Sequence, residues 1–212
     1  MRMPSDLSKA EILKSGRRVP QQDRGERRVA EVLEAAASVI AEVGYDAATM
    51  TAIAEHAGAS IGAIYQYFPN KEAIVLALRD RYGNEMEARW TEVEQSTAGM
   101  TVEQIAHHFV EVMVRFVDEH PAYFPVLDAP LQYKRDREAR TRLRQRLANV
   151  FRSRKPALSP ERAFRIANVA LEIIKSMNAL YRDVHAHPDE RQFLVDEYKL
   201  VLTAYLESRL SA

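Results

Sequence analysis

TMTAIAEHAGASIGAIYQYFPNK, residues 49 to 71, reads as two short helices joined by a tight turn. Thr49 and Thr51 carry hydroxyls suited to a helix start, where an oxygen at the cap satisfies an orphan amide. Met50, Ile53, Ala54 and Ala57 then repeat at helical spacing. Gly58 follows, and a glycine just past a helix end takes the left-handed conformation that closes it. Ser60 is placed to cap a second helix with Ile64 and Phe68 on one face and Gly62, Ala63 and Gln66 on the other. Tyr65 and Tyr67 lie at its flanks, Pro69 ends it, and Asn70 is placed to cap a longer helix opening with Lys71-Glu72. Helix, glycine-containing turn, helix is the layout of a helix-turn-helix, whose second helix enters the DNA major groove.

The chemistry of the outer face agrees. Small side chains at Gly62 and Ala63 let a helix backbone approach base edges. Gln66 both donates and accepts, as the bidentate pairing with adenine requires. Ser60, Tyr65, Tyr67, Thr49 and Lys71 offer donors to phosphates, which position a protein without reading sequence. With Thr51 and Ile61 these residues make up the expected DNA-binding set. A plain helical hairpin with core tyrosines explains any one of them equally well, but not the whole ordered series.

The series Thr49-x-x-x-Ile53-Ala54-x-x-Ala57-Gly58-Ala59-Ser60-x-Gly62-x-x-Tyr65-x-Tyr67-Phe68-x-x-Lys71-Glu72 resembles the N-terminal signature of TetR-type transcriptional regulators. Ala59 stands where valine is usual and Tyr67 where histidine is frequent; neither change removes a needed group. The resemblance implies an all-helical homodimer that represses transcription until a small molecule binds its C-terminal domain. It covers about a quarter of the chain, and the remainder matches in length and helical character only.

Composition sets the outer bounds. A chain of 212 residues buries a sizeable core. The absence of cysteine excludes a disulfide framework and fits a reducing cytoplasm. No apolar run has the length of a membrane span and the start lacks an apolar signal core, so the expected location is cytoplasmic with no membrane partner. The formal net charge is zero, so distribution matters more than the sum. Residues 1–28 hold eight basic residues, among them Lys14, Arg17 and Arg18, against four acidic ones. Residues 1–25, punctuated by Pro4, Gly16, Pro20 and Gly25, read as a flexible basic tail. Such a tail is either a plain leader or an arm lying along phosphates or in a minor groove.

Beyond the tail, a first helix is expected from about Glu26 to Val43, with Val29, Val32, Leu33, Ala36, Ile40 and Val43 inward and Gly44 as its stop. It completes a three-helix DNA-binding domain over residues 26–72, and residues 73–212 form a helical ligand-binding and dimerisation domain. The helix from Lys71 to about Gln95 carries Ile74, Leu78, Tyr82 and Met86, and Ser96–Gly99 breaks the chain. Thr101-Val102-Glu103-Gln104 has capping-box spacing and starts the next helix, which ends at His120-Pro121. Residues 123–131, with Pro125 and Pro130, are irregular or briefly helical. Residues 134–155 hold ten basic residues against Asp136 and Glu138. Because Leu143, Leu147, Val150 and Phe151 form one stripe with most arginines off it, the better reading is an amphipathic helix on a core rather than a second nucleic-acid surface. Helices at about 160–184 and 189–209 have apolar arcs too wide for one core, as expected of a four-helix interface between two copies.

Trp90, Phe109, Met113, Phe116, Tyr123, Phe124, Met177 and Tyr181 are the candidate lining of an apolar effector pocket, with Asn168, Glu172 and Asn178 to orient a largely apolar or aromatic small molecule. Aromatic and methionine stripes at this spacing also make ordinary core. His107-His108 point to different azimuths and His185-x-His187 lies in a loop, so no metal ligand set is read. No cofactor is implied, and neither a phosphate loop nor a nucleophile–base pair is visible. The chain reads as an all-α, ligand-responsive regulator of a double-stranded operator, not an enzyme. The alternative is a helical small-molecule binder or enzyme whose N-terminal motif is structural.

Overall fold

The computed structural model describes residues 19–132, 137–184 and 187–210. All regular elements among them are helices: α1 (Val19–Ala47), α2 (Met50–His56), α3 (Ile61–Tyr65), α4 (Lys71–Ser96), α5 (Val102–Glu119), α6 (Tyr123–Asp128), α7 (Arg137–Arg154), α8 (Pro160–Val184) and α9 (Pro188–Leu210). They form two compact units, the described residues up to Leu78 and those from Arg79 onward, so the division falls inside α4.

In the first unit α1 packs on α2, and α2 on α3. Val32, Leu33, Ala36 and Ile40 of α1, Ile53 and Ala54 of α2, Ile64 of α3, Phe68, and Ile74, Val75 and Leu78 of α4 are buried. Two boundaries differ from expectation. α1 starts at Val19, about two turns before Glu26. Pro20 then sits in the first turn, where its missing N–H has no helical partner to lose. The basic cluster Lys14, Arg17 and Arg18 lies outside the described residues. At the other end Gly44 leaves helical geometry (φ 78°, ψ 169°). The chain changes direction there, and Val43, assigned to the inward stripe, is exposed.

The second unit is knit by α5 on α9, α7 on α8, and α8 on α9. α5 opens with the expected capping box: Thr101 Oγ1 accepts from Gln104 N (3.1 Å) and Gln104 Oε1 from Thr101 N (2.8 Å). Its inner face supplies Phe109, Met113 and Phe116 to an aromatic core. Trp90 meets Phe109 edge-on at 5.1 Å, Phe109 lies 6.2 Å from Phe151, and Phe116 meets Tyr123 edge-on at 5.2 Å. Burial of each such ring stabilises the fold by about 1.5–3 kcal/mol. The arginines of α7 are largely used within this unit. Arg142 bonds Glu87 (3.0 Å), Arg146 bonds Glu94 (3.1 Å), Arg144 pairs with Glu172 (3.8 Å), and Arg152 donates to Leu158 O (3.2 Å). An amphipathic helix seated on a core is what this arrangement shows.

Arg79 was not singled out from the sequence. It is 5% exposed, and its guanidinium donates to four backbone carbonyls: Val126 O (2.9 Å), Leu131 O (3.0 Å), Leu127 O (3.0 Å) and Ala129 O (2.6 Å). A charge-assisted bond of this kind is worth roughly twice a neutral one. The signal was present in the spacing, since Arg79 follows Val75 by four and precedes Tyr82 by three, on a row that is otherwise apolar.

Tyr181 joins α8 to α5 through its hydroxyl, which donates to Asp118 Oδ1 (2.9 Å). Burial, then the bond to Asp118 and its negative charge, push the phenol up to about 12 from its ordinary 10. The folded state thus favours the neutral phenol. Its contribution to stability is complete below pH 10 and is lost as pH rises through about 12. The wild-type urea midpoint should fall more steeply over that interval than that of Tyr181→Phe. Tyr205, also raised by burial, leaves a residual slope in the variant. Equal slopes in the two proteins would show that Tyr181 carries no such linkage.

Candidate nucleic-acid interface

The head is built from caps. Thr49 Oγ1 accepts from Ala52 N (3.1 Å), Ser60 Oγ from Ala63 N (3.2 Å) and Asn70 Oδ1 from Ala73 N (2.8 Å), so α2, α3 and α4 each open on a side-chain oxygen. Each such cap is worth about 1 kcal/mol. Between α2 and α3, Gly58 takes φ 58°. Its amide bonds Glu55 O (3.1 Å), and Ala59 N bonds Ala54 O (2.9 Å). The turn is thereby closed by backbone alone.

Inside α3, Ile64 is fully buried and anchors the helix; Ala63 is half-buried. Outside, Ser60, Ile61, Gly62, Tyr65, Gln66 and Tyr67 are exposed, as are Thr49 and Thr51 of the preceding helix. A Cβ placed on Gly62 meets nothing within 4 Å. The fold itself does not require glycine there. α3 is shorter than expected. It ends at Tyr65, and Gln66 is its C-cap (φ −66°, ψ −27°), with Tyr67 N and Phe68 N both bonding Ile64 O (3.0 Å). Pro69 prevents a further turn, and the chain tightens before it.

Lys71, expected as a phosphate donor, also bonds inward. Its ammonium donates to Tyr45 O (2.6 Å) and Asp46 O (3.2 Å) and sits 4.3 Å from the centroid of the Tyr45 ring. An ammonium has three donors, so two are committed to the end of α1. The lysine braces α4 against α1.

The expected pocket residues divide differently. Trp90, Phe109, Met113, Phe116, Phe124, Met177 and Tyr181 are buried, with Tyr123 half-buried beside them. They come together, but as packed core. Tyr181 also lines a cleft of about 470 Å³ between α5 and α9, with Asp118, Arg191 and Lys199 among its walls. Asn168 and Glu172 do not join the aromatics. They lie round α8 from Ala170, Ile174, Met177 and Tyr181, beside Val169, Ile173 and Ser176 at a shallow depression of about 400 Å³. The 3.6-residue period puts positions 168 and 172 away from 170, 174 and 177. Glu172 is paired with Lys175 (2.7 Å), and Asn168 Oδ1 is buried without a hydrogen-bond partner. The side chain of Asn178 lies outside the described ones. Among the described residues no group of three or more His, Asp or Glu is placed to hold a metal, and no helix is long and apolar enough to cross a membrane.

Residues 32–78 match the family described as "Bacterial regulatory proteins, tetR family", and residues 101–206 match "Tetracyclin repressor-like, C-terminal domain". The second match alone covers half of the chain. The protein belongs to the TetR family. Among curated TetR relatives, the chain is 39% identical over 70 residues to the fatty acid metabolism regulator protein of Bacillus subtilis, covering 32% of this chain and 36% of the relative. It is 33% identical over 97 residues to the HTH-type transcriptional repressor KstR2 of Mycobacterium tuberculosis, covering 41% of this chain and 48% of that one. The chain therefore matches less than half the length of either. A solved TetR-family regulator from Streptomyces coelicolor has the same fold (TM-score 0.61, 24% identity, 86% of this chain and 99% of that one). So does the regulator FadR of Bacillus subtilis in complex with stearoyl-CoA (TM-score 0.54, 20% identity, 86% and 97%).

Two substitutions separate reading from bracing. Gln66→Ala should cost about 1–3 kcal/mol of operator affinity and relax one operator position, measured by binding to a panel of single-base operator variants. Lys71→Ala should instead lower the thermal midpoint and leave base preference unchanged. An unaltered preference in Gln66→Ala would remove glutamine from the reading set.

Proposed function

We propose that this TetR-family protein is a dimeric repressor that holds a palindromic operator through α3 and its flanks and is released by a small amphiphilic effector. The observation that carries the reading is the division of α3, with Ile64 locked inside and small or hydrogen-bonding groups outside, on a helix too short to serve as scaffold. Ser60, Tyr65 and Tyr67 are assigned to phosphates, Gln66 to a base edge, and Gly62 and Ala63 to close approach. Thr49, Thr51 and Ile61 border the same surface.

A second copy of the chain is the partner that best fits α8 and α9. Val169 and Leu180 on α8 and Val201 on α9 are exposed, Phe193 and Leu200 are 67% and 62% exposed, and the unpartnered Asn168 Oδ1 lies on the same outer side of α8. Pairing supports operator recognition, since two heads about one helical turn apart, roughly 34 Å, read two half-sites.

For the effector, the names of two similar proteins carry weight: one regulates fatty acid metabolism and one was solved with stearoyl-CoA. A fatty acyl thioester is accordingly the first ligand class proposed here. Its acyl chain would insert among Phe109, Phe116 and Met177, and its polar portion would face the α5–α9 cleft. Insertion requires the core to open, so the effector must bind the released conformation better than the operator-bound one; equal affinity shifts nothing. A hundredfold preference supplies about 2.7 kcal/mol per site.

A gel-shift on the DNA flanking the protein's own gene, with and without stearoyl-CoA, tests the reading as a whole. Binding that the thioester reverses is expected; binding that no acyl thioester disturbs would exclude this effector class. Val201→Glu should give monomers in sedimentation and weakened operator binding, because an unpaired charge in a desolvated interface is costly. A dimer that survives the substitution would place the interface elsewhere.

A further inference from the structure

Two charges of opposite sign stand on the outward row of α8. Arg165 and Glu172 are seven residues apart, close to two turns, so both project from one side of the helix. Val169, 45% exposed, and Ser176 share that row, which lies opposite the buried Ala170 and Ile174. The two charges are unevenly served within the chain. Glu172 bonds Lys175 of its own helix (2.7 Å) and faces Arg144 of α7 at 3.8 Å, yet its side chain is 63% exposed. Arg165 is exposed and has no ion pair among the described residues. Asn168, between them, has its Oδ1 buried without a hydrogen-bond partner.

The order along the helix has a symmetry. Arg165 and Glu172 lie at equal distances on either side of the midpoint between Asn168 and Val169. When an identical helix is laid antiparallel over that midpoint, each Arg165 falls opposite the other copy's Glu172, at both ends of the contact at once. A two-fold axis imposes this reciprocity, because residue i meets j wherever j meets i. Other arrangements lose it. A parallel two-fold pair sets each charge against its own copy. Sliding one antiparallel helix by a turn puts Arg165 opposite Asn168 or Ser176 instead. The charge pattern is therefore complementary to itself in one orientation and one register, which is how charges across an interface fix alignment and reject wrong partners. Val169, with the half-buried Ile173 at the shallow depression beside it, supplies an apolar centre between the two charged ends.

We propose that α8 pairs antiparallel with α8 of a second copy about the Asn168–Val169 midpoint, held in register by two reciprocal Arg165–Glu172 ion pairs that select an identical chain as partner. A guanidinium carries five N–H donors, more than one carboxylate takes up, so the incoming Arg165 also offers a donor to Asn168 Oδ1, one turn from Glu172. The terminal amide torsion of asparagine is broad and lets the oxygen turn outward to meet it. The inference rests on the dimer of the repressor reading, and a charge swap separates the two. Sedimentation equilibrium is run on the full chain as wild type, Arg165→Glu, Glu172→Arg, an equal mixture of these two variants, and the double variant carrying both changes. Each single variant sets like charges opposite one another twice per dimer and should raise the dimer dissociation constant about tenfold or more. In the mixture every facing pair is opposite in sign, so heterodimers should form with nearly wild-type affinity. The double variant restores opposite signs within a homodimer and should do the same without mixing, which keeps the test decisive if a single variant folds poorly. Single variants that dimerise as the wild type does, or a mixture and a double variant no tighter than the single ones, would overturn the register. A wild type that sediments as a monomer would instead remove the dimer itself.

Discussion

The last carbonyls of a helix have no partners within it, and in this protein side-chain cations on one helix satisfy two such ends. Lys71 serves α1 and Arg79 serves α6, each within its own compact unit. These ties hold the ends of α1 and α6 against α4. α1 must end near the start of α4 for Tyr45 and Asp46 to reach the lysine, and this fixes the loop before Thr49 and with it the approach to α2. α6 must lie with its C-terminal end against α4, and this brings Tyr123 and Phe124 over the aromatic core instead of leaving residues 121–131 as a free loop.

The same economy runs through a chain whose formal net charge is zero. Many of its cations are engaged inside the fold. Arg142 and Arg146 answer Glu87 and Glu94 on α4, Lys199 answers Glu111, and Arg89 joins Glu119 while lying over Phe116. The carboxylates of Glu111 and Glu119 are held below the usual range, in each case chiefly by the hydrogen bond from the cation. Exposed pairs of this kind contribute little individually. Their effect is to fix the register of α4, α5, α7 and α9 against one another.

Most of the fold was legible because the signals were local. Thr49, Ser60, Asn70 and Thr101 act as the caps that their positions imply, Gly58 adopts the left-handed turn, and the breaks at Ser96–Gly99 and His120–Pro121 fall where read. What the sequence hid depends on tertiary partners. Nothing local in the sequence reveals that Lys71 bonds Tyr45 O and Asp46 O. Arg79 stands out in the sequence only as a cation on an apolar row, and its partners at the end of α6 lie some fifty residues away. The aromatic set was recognisable as a group, but periodicity does not distinguish rings lining a space from rings filling it. Asn168 and Glu172 were grouped with that set by chain proximity, although helical phase sends them to the other side of α8.

The emptiness around Gly62 has a wider consequence. On α3 the one fully buried side chain is Ile64, while Gly62, Tyr65 and the C-cap Gln66 are exposed. Substitutions on the outer side at 62, 65 and 66 leave the anchoring contact untouched. Where α3 reads DNA as proposed, its target can change through folded intermediates without first losing stability. The shortness of this helix, which makes it a poor structural element, makes it an adaptable one.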